Sequence, residues 1–140
     1  MPDRDVTIST IQRELTAFAR RARHKAAQIH PELSLVTYSM LDHMDASDGC
    51  RGTDLAEHFL LDKSTVSRQI AVLDRLGLIV REQDPEDRRG QILRPSDGGL
   101  RLLAEAHRQR RAAFEERFTE WDDTDLDRFA GYLLRYNAVS

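Results

Sequence analysis

Residues Thr53–Leu78, TDLAEHFLLDKSTVSRQIAVLDRLGL, constrain the fold more than any other stretch. Two short helical patterns stand a few residues apart and run straight into IVREQDPEDRRGQILRPSDGG, which reads as a β-hairpin with an arginine-loaded tip. In the second pattern Val66, Ile70 and Leu73 recur at i, i+4 and i+7 and form one apolar stripe. Asp62 is placed to cap that helix by accepting from the N–H of Ser64 or Thr65. In the first, Leu55, Ala56 and Phe59 face inward and Thr53 is the expected cap. The link Leu60–Leu61–Asp62 has the length of a helix-turn-helix turn, though without the glycine often found there.

The side of the second helix away from its stripe carries the functional signal. At about 100° per residue it holds Ser64, Arg68, Ala71 and Arg75, flanked by Lys63, Thr65, Ser67 and Gln69. Short hydroxyls let a helix axis approach base edges, and an arginine such as Arg68 can hold guanine through two hydrogen bonds. A purely solvated amphipathic helix explains the same stripe, but such faces usually carry Glu and Lys. In the hairpin, Gly77 stands where the helix must stop and reverse. Leu78–Val80 and Ile92–Leu93 are the apolar strand segments, and Asp84–Gly90 is built of turn-forming residues. Arg88 and Arg89 lie at the tip, suited to the negative potential of a narrow minor groove, with Asp87 placed to pair with Arg89 and fix its direction. The plainer alternative is a solvated tip whose charges serve solubility.

These residues resemble the multiple-antibiotic-resistance regulator (MarR) family of winged helix-turn-helix regulators. The likeness rests on LAEHFLLDKSTVSRQIAVLDRLGLI (Leu55–Ile79), on the wing pattern Asp87–Arg88–Arg89, and on Ser96–Asp97–Gly98–Gly99, similar to the family's T-x-x-G. Pro95 stands where the family has Leu, so a less regular end to the second wing strand is expected. The resemblance implies a homodimer on a pseudo-palindromic operator, acting as a repressor that a small molecule releases.

The predicted fold is therefore mainly α with a small β-hairpin wing (α+β). One domain is expected over 1–140: a winged helix-turn-helix part at 34–95, and a helical dimerisation part at 1–30 and 96–140. Ile8, Ile11, Leu15, Phe18, Ala22 and Ala26 share one face of a helix over 6–29. Ser34 is the expected cap of a helix reaching Asp45, with Leu35, Tyr38, Leu41 and Met44 inward. Ser96 opens a long helix through Phe118, and Leu126, Phe129, Ala130, Leu133 and Leu134 form the stripe of a last one. A winged helix does not need the first and last helices. They either extend a monomeric core or bury their stripes across a two-fold axis, and the family resemblance favours the second.

Composition sets outer limits. The 140 residues are one domain's worth, with a single cysteine, which suits a reducing compartment. No apolar run approaches the length of a membrane span, and the polar start MPDRDVTIST does not read as a signal peptide, so the expected location is cytoplasmic and nucleoid-associated, away from membranes. Net charge is −3, yet residues 63–94 hold seven basic against five acidic residues, while 120–128 hold five acidic against one basic. Positive charge is thus concentrated on the segment expected to meet double-stranded DNA.

Neither a nucleophile motif nor a phosphate loop is present, so no enzyme, catalytic residue or cofactor is expected. Cys50 lacks a base partner and is expected to be inert, in a one-rung strand at the base of the wing. His24, His30, His43, His58 and His107 contain no pair four residues apart; no metal ligands are assigned, although histidines from different helices leave a metal-responsive regulator as an alternative. For an aromatic or anionic effector, Arg20, Arg23 and His24 are candidates to meet a carboxylate and Tyr38 to stack on a ring, against the plainer reading of solvated charges. Two function classes stay open: a sequence-specific regulator, and a winged-helix module for protein contacts or architecture without base preference. A protein-binding face would show exposed aromatic or aliphatic anchors where this one shows Ser64, Thr65, Ser67, Arg68 and Gln69.

Overall fold

Six helices and one hairpin follow in the order α1 (Arg4–Ile29), α2 (Leu35–Ala46), α3 (Gly52–Phe59), α4 (Lys63–Arg75), β1 (Ile79–Gln83), β2 (Gln91–Pro95), α5 (Asp97–Arg117) and α6 (Asp123–Asn137). The computed structural model describes residues 2–87 and 89–138. They gather into two compact units, residues 1–104 and 105–140.

The core of the first unit forms around α2, which packs on α1, α4 and β2. Met40, Leu41 and Met44 of α2 are fully buried, as are Leu55 of α3 and Leu73 of α4. Val66 and Ile70 complete the stripe read from sequence. Each of these helices begins with a side chain that satisfies free backbone donors. Ser34 accepts from Thr37 N–H at 3.2 Å, and Asp62 Oδ1 from Thr65 N–H at 2.7 Å, both as expected.

The start of α3 differs from expectation. Thr53 does not cap it; the helix begins earlier, with Arg51 at the N-cap. Arginine offers no acceptor, so the cap works from the other side: Asp54 reaches back to the Arg51 backbone N–H at 2.9 Å. At the other end Leu60 takes the left-handed conformation, φ 55°, that a glycine would adopt freely. The turn keeps the expected length at the expense of a strained, exposed leucine.

The hairpin pairs antiparallel, from Ile79 opposite Pro95 to Gln83 opposite Gln91. Pro95 stays inside the strand. Cys50 makes the expected single rung, bridging Leu93. Gly77 adopts φ +71° at the end of α4. The first turn of α5 runs so close to the hairpin that a Cβ on Gly99 would fall 2.1 Å from the Leu78 carbonyl oxygen. Only glycine fits there, which explains the glycine of Ser96–Asp97–Gly98–Gly99. Ser96 fastens the same junction, donating to Gly77 O at 2.6 Å and accepting from Gly99 N–H at 3.1 Å.

In the second unit an aromatic chain runs through Phe114, Phe118, Trp121 and Phe129, with successive ring centroids 4.9–6.2 Å apart. No described residue of α6 is buried, and Leu134 is 74% exposed. The first half of the α1 stripe is also uncovered in the single chain, with Ile8, Ile11, Leu15 and Phe18 39–50% exposed, whereas Ala26 near its end is buried.

The cap of α4 has a pH signature. Hydrogen bonds from the Thr65 backbone, then from the Ser64 and Thr65 side chains, hold the Asp62 carboxyl down at about 2 against an ordinary 3.8. A lowered folded-state pKa contributes stability that is complete above about 4 and is lost as pH falls towards about 2. Asp62→Ala is therefore expected to flatten the dependence of the urea midpoint on pH between about 4 and 2, relative to the unaltered chain.

Candidate nucleic-acid interface

The residues singled out on α4 fall into three groups. Lys63, Ser64, Ser67, Arg68 and Arg75 are exposed, and Thr65 and Gln69 are half-buried. Ser64 and Thr65 serve the helix start: the Ser64 hydroxyl donates to Asp62 at 2.8 Å, and Thr65 Oγ1 accepts from Arg68 Nη2 at 3.2 Å. That bond engages one of the N–H donors of the exposed Arg68. Arg75 turns back along the fold to Glu32, 3.3 Å away. Gln69 also turns back: its carbonyl accepts from Thr37 on α2 at 2.6 Å.

In the wing, Arg89 is exposed, and Arg88 lies outside the described residues. Asp87 holds Arg89 by its backbone: Asp87 Oδ1 accepts from Arg89 N–H at 3.0 Å, while Gly90 N–H donates to Asp87 O at 3.0 Å. The expected link through the guanidinium is replaced by a turn-shaping one, in which a short carboxylate bonds the backbone two residues on.

The root of the wing is anchored by contacts that periodicity does not reveal. Asp84 is 2% exposed in the turn, pairs with the Arg51 guanidinium at the start of α3, and accepts from Glu86 N–H at 2.9 Å. Arg81 ties β1 to α4 through Asp74 at 3.1 Å and crosses the hairpin to Gln91 at 3.0 Å. Arg94 joins Glu82 to Asp48 of the α2–α3 turn. Between wing and helices lies an open cleft of about 460 Å³, lined by Gly52, Ile70, Arg81, Arg89 and Leu93 among others.

The effector candidates take separate surroundings. Arg20, Arg23 and His24 are exposed on α1, with His24 bonded to Gln28 at 3.2 Å, whereas Tyr38 is 3% exposed in the core. None of the four lines the wing cleft. Cys50 is buried, and burial, then the charge of Asp54, pushes its thiol up to about 11; a thiol so held is a poor nucleophile. Sequence reading missed a contact between helices: the rings of His43 on α2 and His58 on α3 stack with centroids 4.0 Å apart. Burial, then the neighbouring His58, lowers the His43 pKa, against the opposing pull of Asp54 and Asp42. Among the described residues no group of three or more His, Cys, Asp or Glu side chains is arranged to hold a metal ion.

The Arg51–Asp84 pair yields a stability test. Arg51→Ala leaves a buried carboxylate without its counter-charge, and should destabilise by about 1–3 kcal/mol in urea unfolding, less than a wholly buried pair because Arg51 is partly exposed. Adding Asp84→Asn should recover part of that loss, the coupling expected of direct partners.

Known proteins match this arrangement closely. A model of the MarR family matches residues 32–90, which contain α2, α3, α4 and most of the wing. The uncharacterized HTH-type transcriptional regulator YxaD of Bacillus subtilis (strain 168) is 33% identical over 132 residues, covering 93% of this chain and 92% of its own. Among solved structures, a MarR transcriptional regulator from Methanosarcina mazei Go1 superposes with a TM-score of 0.78 at 18% identity, covering 93% of this chain and 96% of that one. The PcaV transcriptional regulator of Streptomyces coelicolor, solved with its natural ligand, gives 0.74 at 21% identity, covering 99% and 97%. Its helix-turn-helix, its wing and its full-length likeness to a regulator of this type place the chain in the MarR family of DNA-binding transcriptional regulators.

Proposed function

We propose that the protein is a homodimeric, sequence-specific repressor that binds a pseudo-palindromic operator and is released by a small aromatic or anionic effector. The observation that carries the base-reading half is the character of α4. Its apolar side is buried to the last residue of the stripe, and its outer side offers hydroxyls and an exposed Arg68 without aliphatic or aromatic anchors. In this reading α4 enters the major groove, Arg68 holds a guanine, and Arg89 follows the minor groove from the wing. Two copies then read two half-sites related by the two-fold axis. Release by an effector is supported by the likeness to PcaV, a regulator solved with its natural ligand.

Dimerisation is supported by the α1 and α6 stripes, whose apolar side chains are left open to solvent in the single chain. Sedimentation at micromolar concentration should give twice the chain mass of 16.1 kDa. A monomer would remove the two-half-site operator.

Selection of bound fragments from genomic DNA would yield the operator, and two variants then separate the roles. Arg68→Ala should lose about 1–3 kcal/mol of discrimination between operator and random duplex. Equal weakening on both would make Arg68 a phosphate contact, and absence of any enriched fragment would favour an architectural module. Arg89→Ala should instead lower affinity on every sequence and make it less steeply dependent on salt, since one cation that displaces counterions is lost.

A further inference from the structure

Gln69 stands beside Arg68 on α4, yet its amide is not free to present both of its polar atoms outward. Its carbonyl oxygen lies 2.6 Å from the hydroxyl of Thr37, a residue 1% exposed in the core. Thr37 has a single hydroxyl proton and is the donor of that bond. Ser34 Oγ, as cap of α2, accepts from the Thr37 backbone N–H at 3.2 Å. Its hydroxyl also lies 2.8 Å from Thr37 Oγ1, to which it donates when the Thr37 proton is on Gln69. Thr37 accepts there and gives its single hydroxyl proton to Gln69 Oε1. The chain of donors therefore begins on a backbone N–H and ends on the glutamine carbonyl, with the amide nitrogen at the other branch of the side chain.

An amide holds adenine by using both atoms, donating to N7 and accepting from the N6 amino group. With one lone pair of Oε1 taken by Thr37 and the oxygen held toward α2, the second half of that pattern is weakened. Turning the carbonyl to a base would break the 2.6 Å bond and return the Thr37 proton to Ser34 Oγ, at the cost of one buried hydrogen bond. The two N–H donors on Nε2 remain, and they suit an edge that offers acceptors only. Guanine, with N7 and O6 adjacent in the major groove, is that edge.

We infer that Thr37 is a specificity-determining residue acting through Gln69: by holding its carbonyl, Thr37 leaves the amide donors as the readier contacts of Gln69, so guanine is favoured over adenine at the base facing it. The inference rests on the proposed base-reading role of α4. It places a determinant of operator sequence inside the core, on a helix that does not itself enter the groove.

The test is selection of duplexes from a randomised pool by the full-length chain, with Gln69→Ala, Thr37→Val, Thr37→Ser and Arg68→Ala in parallel. Gln69→Ala should flatten the preference at one position of each half-site, which identifies the base that Gln69 faces. At that position the unaltered chain should select guanine. Thr37→Ser keeps the hydroxyl and should keep that choice. Thr37→Val frees the carbonyl and should shift the choice toward adenine by roughly 5- to 100-fold, the range of one two-bond base contact, while the position read by Arg68 stays as it was. Selection of adenine by the unaltered chain overturns the inference without any Thr37 variant. So does a Thr37→Val chain that keeps the original choice, or one that binds all sequences more weakly by one common factor. If both Arg68→Ala and Gln69→Ala leave every base preference intact, base reading by α4 is itself wrong, and the role of Thr37 falls with it.

Discussion

The burial of one side of α4 against α2 is the contact on which the rest depends. Leu73 is fully enclosed and Val66 is 3% exposed, so the helix can neither roll nor slide without opening the core. A recognition surface needs that rigidity. Base edges differ by atoms a few ångströms apart, and a helix free to rotate would average their pattern away. Exposed positions of α4 such as Ser67 and Arg68 lie outside that packing, so they are free to be chosen for what they touch outside. The apolar side makes that freedom possible by supplying the packing alone.

The wing is held by a different kind of force. Its strands are short, and a two-stranded hairpin is marginal by itself. Here Cys50 adds a third strand of a single rung at Leu93, and the ion pairs of Arg51, Arg81 and Arg94 tie the hairpin to α3, α4 and the α2–α3 turn. Much of the positive charge counted on the reading segment is therefore engaged in holding it together. Arg81 and Arg94 are structural cations, and Arg75 is paired with Glu32. Lys63, Arg68 and Arg89 are the exposed basic residues left to the proposed interface among those described. A local excess of arginine thus overstates the charge available to DNA, because acidic partners are interleaved with it by design of the fold.

What the sequence disclosed and what it hid divide along one physical line. The elements were legible because their stripes repeat locally: Val66, Ile70 and Leu73 on α4, Leu41 and Met44 on α2, and the apolar seeds of both strands. Gly77 and Asp62 were legible because a helix end imposes its own chemistry on the residues beside it. The hidden features are pairings between distant positions. Gln69 meets Thr37 across 32 residues, Arg94 meets Asp48 across 46, and His58 meets His43 from another helix. No spacing rule predicts which two polar side chains the packing will bring together. The start of α3 misled for a related reason: Thr53 has the right chemistry for a cap, but the helix begins two residues earlier, where Asp54 reaches back from inside it to the Arg51 N–H, and two possible starts look alike in sequence.

That distinction bears on how such a regulator can change its target. In the proposed reading, substitutions on the outer side of α4 alter the groups presented to DNA directly, and packing tolerates them where those positions are exposed. A buried hydroxyl such as Thr37 alters the same surface without appearing on it, by deciding which atoms of a neighbour are already engaged. The first route changes which side chain faces the groove; the second changes its hydrogen-bonding polarity with the side chain left in place. Because an amide carries donor and acceptor on opposite branches of one carbon, fixing one branch fixes the other. If α4 reads the operator as proposed, the core of this fold contributes to recognition twice: it holds α4 still, and at Gln69 it biases the sign of the contact.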